Sequence, residues 1–72
     1  MIEIIRQFLA TRPFRPFTIV TTGGSRYRVS SNEHAVVSPP PHRVVVWFDD
    51  GGEVTLAALH IASVEKDSVQ AA

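Results

Sequence analysis

Four arginines in the first half of the chain are the residues best suited to bind an anion. They are Arg12, Arg15, Arg26 and Arg28. Guanidinium groups match the geometry of phosphate, and aromatic rings give nucleic-acid bases a surface on which to stack. Tyr27 alternates with two of these arginines, and Trp47 supplies another aromatic ring. The four arginines are therefore our candidate site for an anion or for RNA.

The charges of the chain are unevenly distributed, although its net charge is zero. Residues 1–36 hold five arginines against two glutamates, a net charge of +3. Residues 37–72 hold two basic and five acidic residues, a net charge of −3. Such a separation can steer an anionic ligand to one end or let identical subunits meet head to tail. Solvated surface charge is the commoner explanation, and the sequence leaves all three open.

The histidines do not form a recognisable metal site. Imidazole and carboxylate groups suit zinc, and the chain offers His34, His42 and His60 beside Glu33. Their spacing matches no metal motif, and the absence of cysteine excludes a thiolate site. We therefore predict neither a metal nor another cofactor, and we interpret the histidines as loop and turn residues.

A nucleophilic site would need a serine, a histidine and an acid in one constellation. Ser63 lies three residues after His60, but no pattern brings Asp49 or Asp50 to them. Paired aspartates before two glycines are typical of a turn. We therefore predict no catalytic residue, and an enzyme with a site between subunits is the least favoured alternative.

The segment from Arg43 to Phe48 has the strongest β pattern, and it is apolar on both faces. One of these faces carries Val45 and Trp47. A strand that is apolar on both sides is either covered on both sides or used at an interface. We predict that Val45 and Trp47 form an interface with copies of the chain or with another protein. A cover formed by the N-terminal helix is the alternative.

The length of 72 residues allows one domain, which we place at residues 1–66, with a flexible tail at 67–72. A chain of this size buries only about 60% of its unfolded surface and is marginally stable. The content of 44% hydrophobic and 19% charged residues is typical of a globular domain. Without cysteine no disulfide stabilises it, so we expect self-association into a homo-oligomer.

The N-terminal residues predict a short amphipathic helix rather than a targeting segment. Apolar side chains at Ile2, Ile5, Phe8 and Leu9 fall at helical spacing, which indicates a helix at about 2–10. A basic leader and an uninterrupted apolar segment are both missing. We therefore expect no signal peptide and no membrane span, and we place the protein in the cytoplasm.

Glycine pairs at 23–24 and 51–52 predict two hairpins. A three-residue loop that ends on the second glycine puts the apolar residues of both strands on one face. The predicted pairs are Phe17 with Val29 and Ile19 with Tyr27 in the first hairpin, and Phe48 with Val54 and Val46 with Leu56 in the second. The first register turns Tyr27 toward the core and leaves Arg26 and Arg28 on the solvent side.

These elements predict a mainly β fold, a small bent SH3/Sm-like β-barrel of about five strands with a short N-terminal α-helix. The predicted strands cover residues 17–22, 25–31, 35–38, 43–49, 53–58 and 61–65. Residues 35–38 are either a brief strand or the continuation of the bent second strand. The three prolines that follow them end the pairing.

The stretch RPFRPFTI at residues 12–19 resembles a recurrent opening of a family of short, uncharacterised bacterial proteins. The likeness continues through GG at 23–24, RVVVW at 43–47 and LHI at 59–61. It covers most of the chain and implies no known activity.

The order of elements is similar to that of the Sm-like family, which includes the bacterial RNA chaperone Hfq. In that family an N-terminal helix precedes a five-stranded barrel that forms rings, and HIASV at 60–64 is similar to its turn into the last strand. Leu59 stands where the bacterial RNA-binding motif has lysine, and the insertion around 39–41 has no counterpart. The resemblance implies a ring-forming RNA-binding barrel, but it assigns no residue to a uridine pocket.

The sequence thus favours a non-catalytic binding or assembly module that associates with itself through strand edges and an apolar face. An Sm-like RNA-binding protein that uses the arginine surface is the first alternative. The partners that the sequence allows are a second copy of the chain, another protein and RNA.

Overall fold

The computed structural model describes residues 1–67 and shows a mainly β protein with a short N-terminal helix, as predicted. Helix α1 (Ile2–Ala10) is followed by β1 (Phe17–Thr21), β2 (Arg26–Val29), β3 (Ala35–Val37), β4 (Arg43–Trp47), β5 (Glu53–Ala57), a 3-10 turn (Ala58–His60) and β6 (Ile61–Lys66). No helix within these residues is long and apolar enough to cross a membrane. Of the predicted tail, residues 68–72 lie outside the described residues.

Helix α1 packs its apolar stripe on the sheets. It buries Ile2 and Ile5, and the ring of Phe8 meets the buried ring of Phe17 edge-on, with the centroids 5.3 Å apart. At its end, the hydroxyl of Thr11 donates a hydrogen bond of 2.7 Å to the carbonyl four residues earlier. A helix of nine residues is not stable alone in water, so α1 depends on this packing.

The strands form two three-stranded antiparallel sheets. The first has the order β2-β1-β6 and the second the order β3-β4-β5. Their inner faces contribute to one core, which consists of Ile2, Ile5, Phe17, Ile19, Val29, Ala35, Val44, Val46, Leu56 and Ile61. Every buried side chain within residues 1–67 is apolar.

The strands do not close into the predicted barrel. No ladder of hydrogen bonds joins the two sheets in the described part of the chain. A turn between Ser31 and His34, closed by a hydrogen bond of 3.0 Å from the His34 N–H to the Ser31 carbonyl, separates β2 from β3. As a result β2 pairs only with β1, and β3 only with β4. The side of β2 that faces away from β1 is therefore a free strand edge.

The predicted register of the first hairpin is confirmed. Phe17 lies opposite Val29, and Ile19 lies opposite Tyr27. Gly24 takes the left-handed conformation, with φ of +89°. The alternation of apolar and polar residues and the glycine pair together fix this hairpin.

The predicted register of the second hairpin is wrong by two residues. The observed pairs are Val46 with Val54 and Val44 with Leu56. The left-handed glycine is Gly51, with φ of +93°, and not Gly52. The Gly52 N–H donates a hydrogen bond to the carboxylate of Asp50 (2.9 Å), which forms a turn closed by a side chain. This turn shifts the three-residue loop to residues 49–51, one residue earlier than predicted. A shift of two residues leaves each side chain on its predicted face.

We expect Gly24→Ala to lower the free energy of unfolding by about 1–2 kcal/mol, because a Cβ is strained in the left-handed region. Gly23→Ala is the matched control, because Gly23 has no left-handed φ and its added Cβ would lie 4.0 Å from the Thr21 hydroxyl oxygen. Denaturant unfolding measures both losses. Equal losses in the two variants would contradict the assigned loop conformation.

Candidate functional site

A groove opens where the two sheets part, between the free edge of β2 and the end of β4; we call it the β2–β4 groove. Its volume is about 420 Å³. It is lined by Arg26, Tyr27, Arg28, Ser30, Trp47, Phe48 and Asp49. The fold thus brings two of the four predicted arginines to the predicted interface residue Trp47. This groove is the candidate functional site.

The aromatic side chains of the groove differ in exposure. The rings of Tyr27 and Phe48 are stacked, with centroids 5.9 Å apart and an angle of 15° between their planes, and both pack against the core. Trp47 is 37% exposed, so helix α1 does not cover it completely. Tyr27 therefore turns toward the core as expected and still lines the groove, whereas Trp47 is available to a partner.

Trp47 belongs to an apolar patch on the outer face of the second sheet. Val45 lies two residues away on the same face and is half-buried. Val36 lies opposite Val45 on β3 and is 50% exposed. We call Val36, Val45 and Trp47 the Trp47 face. The sequence analysis missed Val36, which the structure shows to be more exposed than its two neighbours in β3.

The arginines of β2 are engaged in ion pairs across the first sheet. Arg26 lies 2.6 Å from a carboxylate oxygen of Glu65, and Arg28 lies 2.5 Å from one of Asp67. The hydrogen bond from Arg28 to Asp67 raises the pKa of Arg28 above its usual value. Both pairs are exposed to solvent, so they add little stability, but they reduce the positive charge beside the groove.

The other two predicted arginines lie elsewhere. Arg15 donates a hydrogen bond of 2.7 Å to the backbone carbonyl of Asp67, next to the Arg28 pair. Arg12 donates to the carbonyls of Leu9 (2.9 Å) and Thr11 (3.0 Å), at the end of α1. Arg12 therefore stabilises the helix terminus and does not line the β2–β4 groove.

The histidines do not assemble into a metal site within residues 1–67. No group of three or more histidine, cysteine, aspartate or glutamate side chains there is placed to hold an ion. His42 contacts the carbonyl of Ser38 (3.3 Å). His60 lines a smaller groove of about 280 Å³ beside Thr22 and Leu56. Each belongs to a separate part of the surface.

His34 joins two loops through a contact that the sequence analysis missed. Its Nδ1 lies 2.6 Å from the hydroxyl of Ser31, and its Nε2 lies 3.0 Å from a carboxylate oxygen of Asp49. This is the order of a serine–histidine–acid relay, but the Ser31 hydroxyl also accepts a hydrogen bond from the N–H of Glu33 (3.3 Å) within its own turn. The three side chains hold the β2–β3 turn against the β4–β5 loop. The spacing of Ser31 and His34 is a turn signal, whereas nothing local points to Asp49.

No protein-family model matches this chain, and no curated protein or solved structure matches it. The surface features of this chain that could bind a partner are the Trp47 face, the free edge of β2 and the ion-paired arginines beside it.

We expect His34→Ala to lower the free energy of unfolding by about 1 kcal/mol, because it removes the two side-chain contacts that connect the loops. His60→Ala is the control, because the side chain of His60 is exposed. Denaturant unfolding at neutral pH compares the two variants. If His34→Ala is no less stable than His60→Ala, the connection between the loops contributes nothing.

Proposed function

We propose that this protein is a non-catalytic assembly module whose copies associate through the Trp47 face and the neighbouring strand edges. The exposure of Trp47 (37%) and Val36 (50%) on one sheet face carries the proposal. Aromatic side chains that are exposed beside other apolar groups are typical of interfaces, where their burial stabilises the complex. The cytoplasmic location expected from the sequence is kept with this proposal.

The open edges of the sheets support the same function. Each sheet has two outer strands, which are β2 and β6 in the first and β3 and β5 in the second. Outer strands present unpaired N–H and C=O groups that can pair with another chain. A chain with so small a core gains stability from such contacts.

The character of the core supports binding rather than catalysis. Within residues 1–67 every buried side chain is apolar, whereas catalytic groups are commonly activated by burial beside a charge. The contacts among Ser31, His34 and Asp49 are explained by their role in holding the β2–β3 turn against the β4–β5 loop. An enzyme with a site between subunits is therefore the least supported alternative.

We further propose that the fold is SH3/Sm-like, with β2 and β3 as the two halves of one bent strand. The order β6-β1-β2, continued through β3-β4-β5, is consistent with this interpretation, and so is the 3-10 turn before the last strand. The resemblance to short bacterial proteins with the RPFRPFTI opening is part of the same proposal. An experimental structure of an assembled form would test it.

We expect Trp47→Glu to dissociate the assembly, because it places a charge in the apolar interface. Leu59→Glu is the matched control, since Leu59 is 78% exposed on the 3-10 turn outside the Trp47 face. Light scattering at high micromolar concentration should give an oligomer for the wild type and for Leu59→Glu, and a monomer for Trp47→Glu. A monomeric wild-type protein would refute the proposed function.

RNA binding is the second candidate function, because the β2–β4 groove places Arg26, Arg28 and Trp47 together. It predicts that Glu65→Gln combined with Asp67→Asn strengthens binding to single-stranded RNA, since these changes remove the carboxylates that neutralise the two arginines. The affinity should fall steeply with salt. Filter binding measures both effects. No binding by either protein at low salt would exclude this function.

A further inference from the structure

The hydrogen bonds of the first hairpin determine which backbone groups of β2 are free. The Thr21 N–H donates to the carbonyl of Ser25 (2.9 Å), so these two residues form a hydrogen-bonded pair. Such pairs alternate along an antiparallel ladder with pairs whose backbone groups point outward. Tyr27 therefore turns its N–H and C=O toward β1, and Arg26 and Arg28 turn theirs away from it.

The backbone N–H and C=O groups of β2 that do not pair with β1 are on the side of the β2–β4 groove. Arg26 and Arg28 both line it, and Trp47 lies across from them. No strand within residues 1–67 pairs with this side of β2. An extended segment from another chain that enters the groove can pair with these groups and add a strand to the first sheet.

Strand β5 presents a second free edge of the same kind. The Phe48 N–H donates to the carbonyl of Gly52 (2.7 Å), so Phe48 and Gly52 form a hydrogen-bonded pair of the ladder. By the same alternation, Glu53 and Thr55 turn their N–H and C=O groups away from β4. Both of these side chains are exposed.

Charge distinguishes among the possible partner edges of β2, although Arg26 and Arg28 already contact carboxylates of their own chain. Pairing β2 with β2 of a second copy would put arginines next to one another, and like charges on opposite strands are destabilising. Strand β6 ends with Lys66, and its only acidic residue, Glu65, already pairs with Arg26 of its own chain, while β3 lies against helix α1. Strand β5 instead carries Glu53, so it is the complementary edge.

We propose that β2 of one copy pairs antiparallel with β5 of a second copy in the β2–β4 groove, with Arg28 opposite Glu53 and Arg26 opposite Thr55. This inference rests on the proposed assembly function and names its contact. Trp47 lines the groove and also lies opposite Glu53 in the β4–β5 ladder, so the edges and the Trp47 face belong to one interface. Because each copy offers both edges, the assembly grows head to tail into a ring or a filament.

Proline substitutions test the two edges separately. Arg26→Pro removes an N–H that points into the groove and no backbone hydrogen bond of the sheet, and Thr55→Pro does the same for β5. Arg26→Ala and Thr55→Ala are the matched controls, because they remove the side chains and keep the N–H groups. Light scattering should show a monomer for each proline variant and an oligomer for each alanine variant, with circular dichroism to verify that all four are folded.

Mixing the two proline variants tests the pairing itself. Arg26→Pro keeps an intact β5 edge and Thr55→Pro keeps an intact β2 edge, so an equimolar mixture should form a one-to-one dimer and stop there. A mixture that stays monomeric overturns the β2–β5 pairing. Oligomers of either proline variant alone also overturn it, and in that case the proposed assembly function stands if Trp47→Glu still dissociates the protein. A monomeric wild type refutes both.

A charge reversal gives a test that is independent of proline. Glu53→Arg places a cation opposite Arg28 and should raise the dissociation constant about tenfold. Glu33→Arg makes the same change of charge in the exposed β2–β3 turn and should leave the dissociation constant unchanged. Equal dissociation constants for the two variants would contradict the proposed register.

Discussion

The turn between Ser31 and His34 is the constraint on which the arrangement of both sheets depends. It ends β2 before the strand can continue along β4, and it lets β3 start in a new direction. The contact of 3.0 Å between His34 and Asp49 holds the turn against the loop of the second hairpin. The sheets therefore share a core but part at the β2–β4 groove, where one side of β2 is left without a partner strand.

The charge separation along the sequence is largely cancelled by the fold at the first sheet. β2 comes from the basic half and β6 from the acidic half, and both flank β1. Arg26 thereby meets Glu65, which lies 39 residues further along the chain. Counting charges shows two oppositely charged halves, but only the strand order shows that they meet. The cancellation weakens the case for an anion site along β2.

Local sequence patterns predicted helix α1, the hairpin in each sheet and which side chains of the hairpin strands face the core. Each of these features depends on residues that are close in sequence. The second register escaped prediction because a shift of two residues keeps Val46 and Leu56 on the same inner face. Hydrophobicity cannot distinguish such registers, and the side chain of Asp50 selected one of them. The closure of the sheets into a barrel was predicted wrongly for a related reason. Whether β2 and β3 form one strand or two depends on the turn at Ser31, not on their apolar pattern.

Part of the candidate site could be predicted from the sequence. Val44 and Val46 on one face of β4 fill the core, so the apolar residues Val45 and Trp47 on the opposite face indicate an interface. The free edge was not visible, since it depends on which strands pair. Charged residues on an edge normally prevent it from pairing with another chain. On β2 that protection is weakened, because the charges of Arg26 and Arg28 are already matched by the carboxylates of Glu65 in β6 and of Asp67 just after it. An exposed tryptophan beside an edge with neutralised charges is better suited to receive a strand than to repel one.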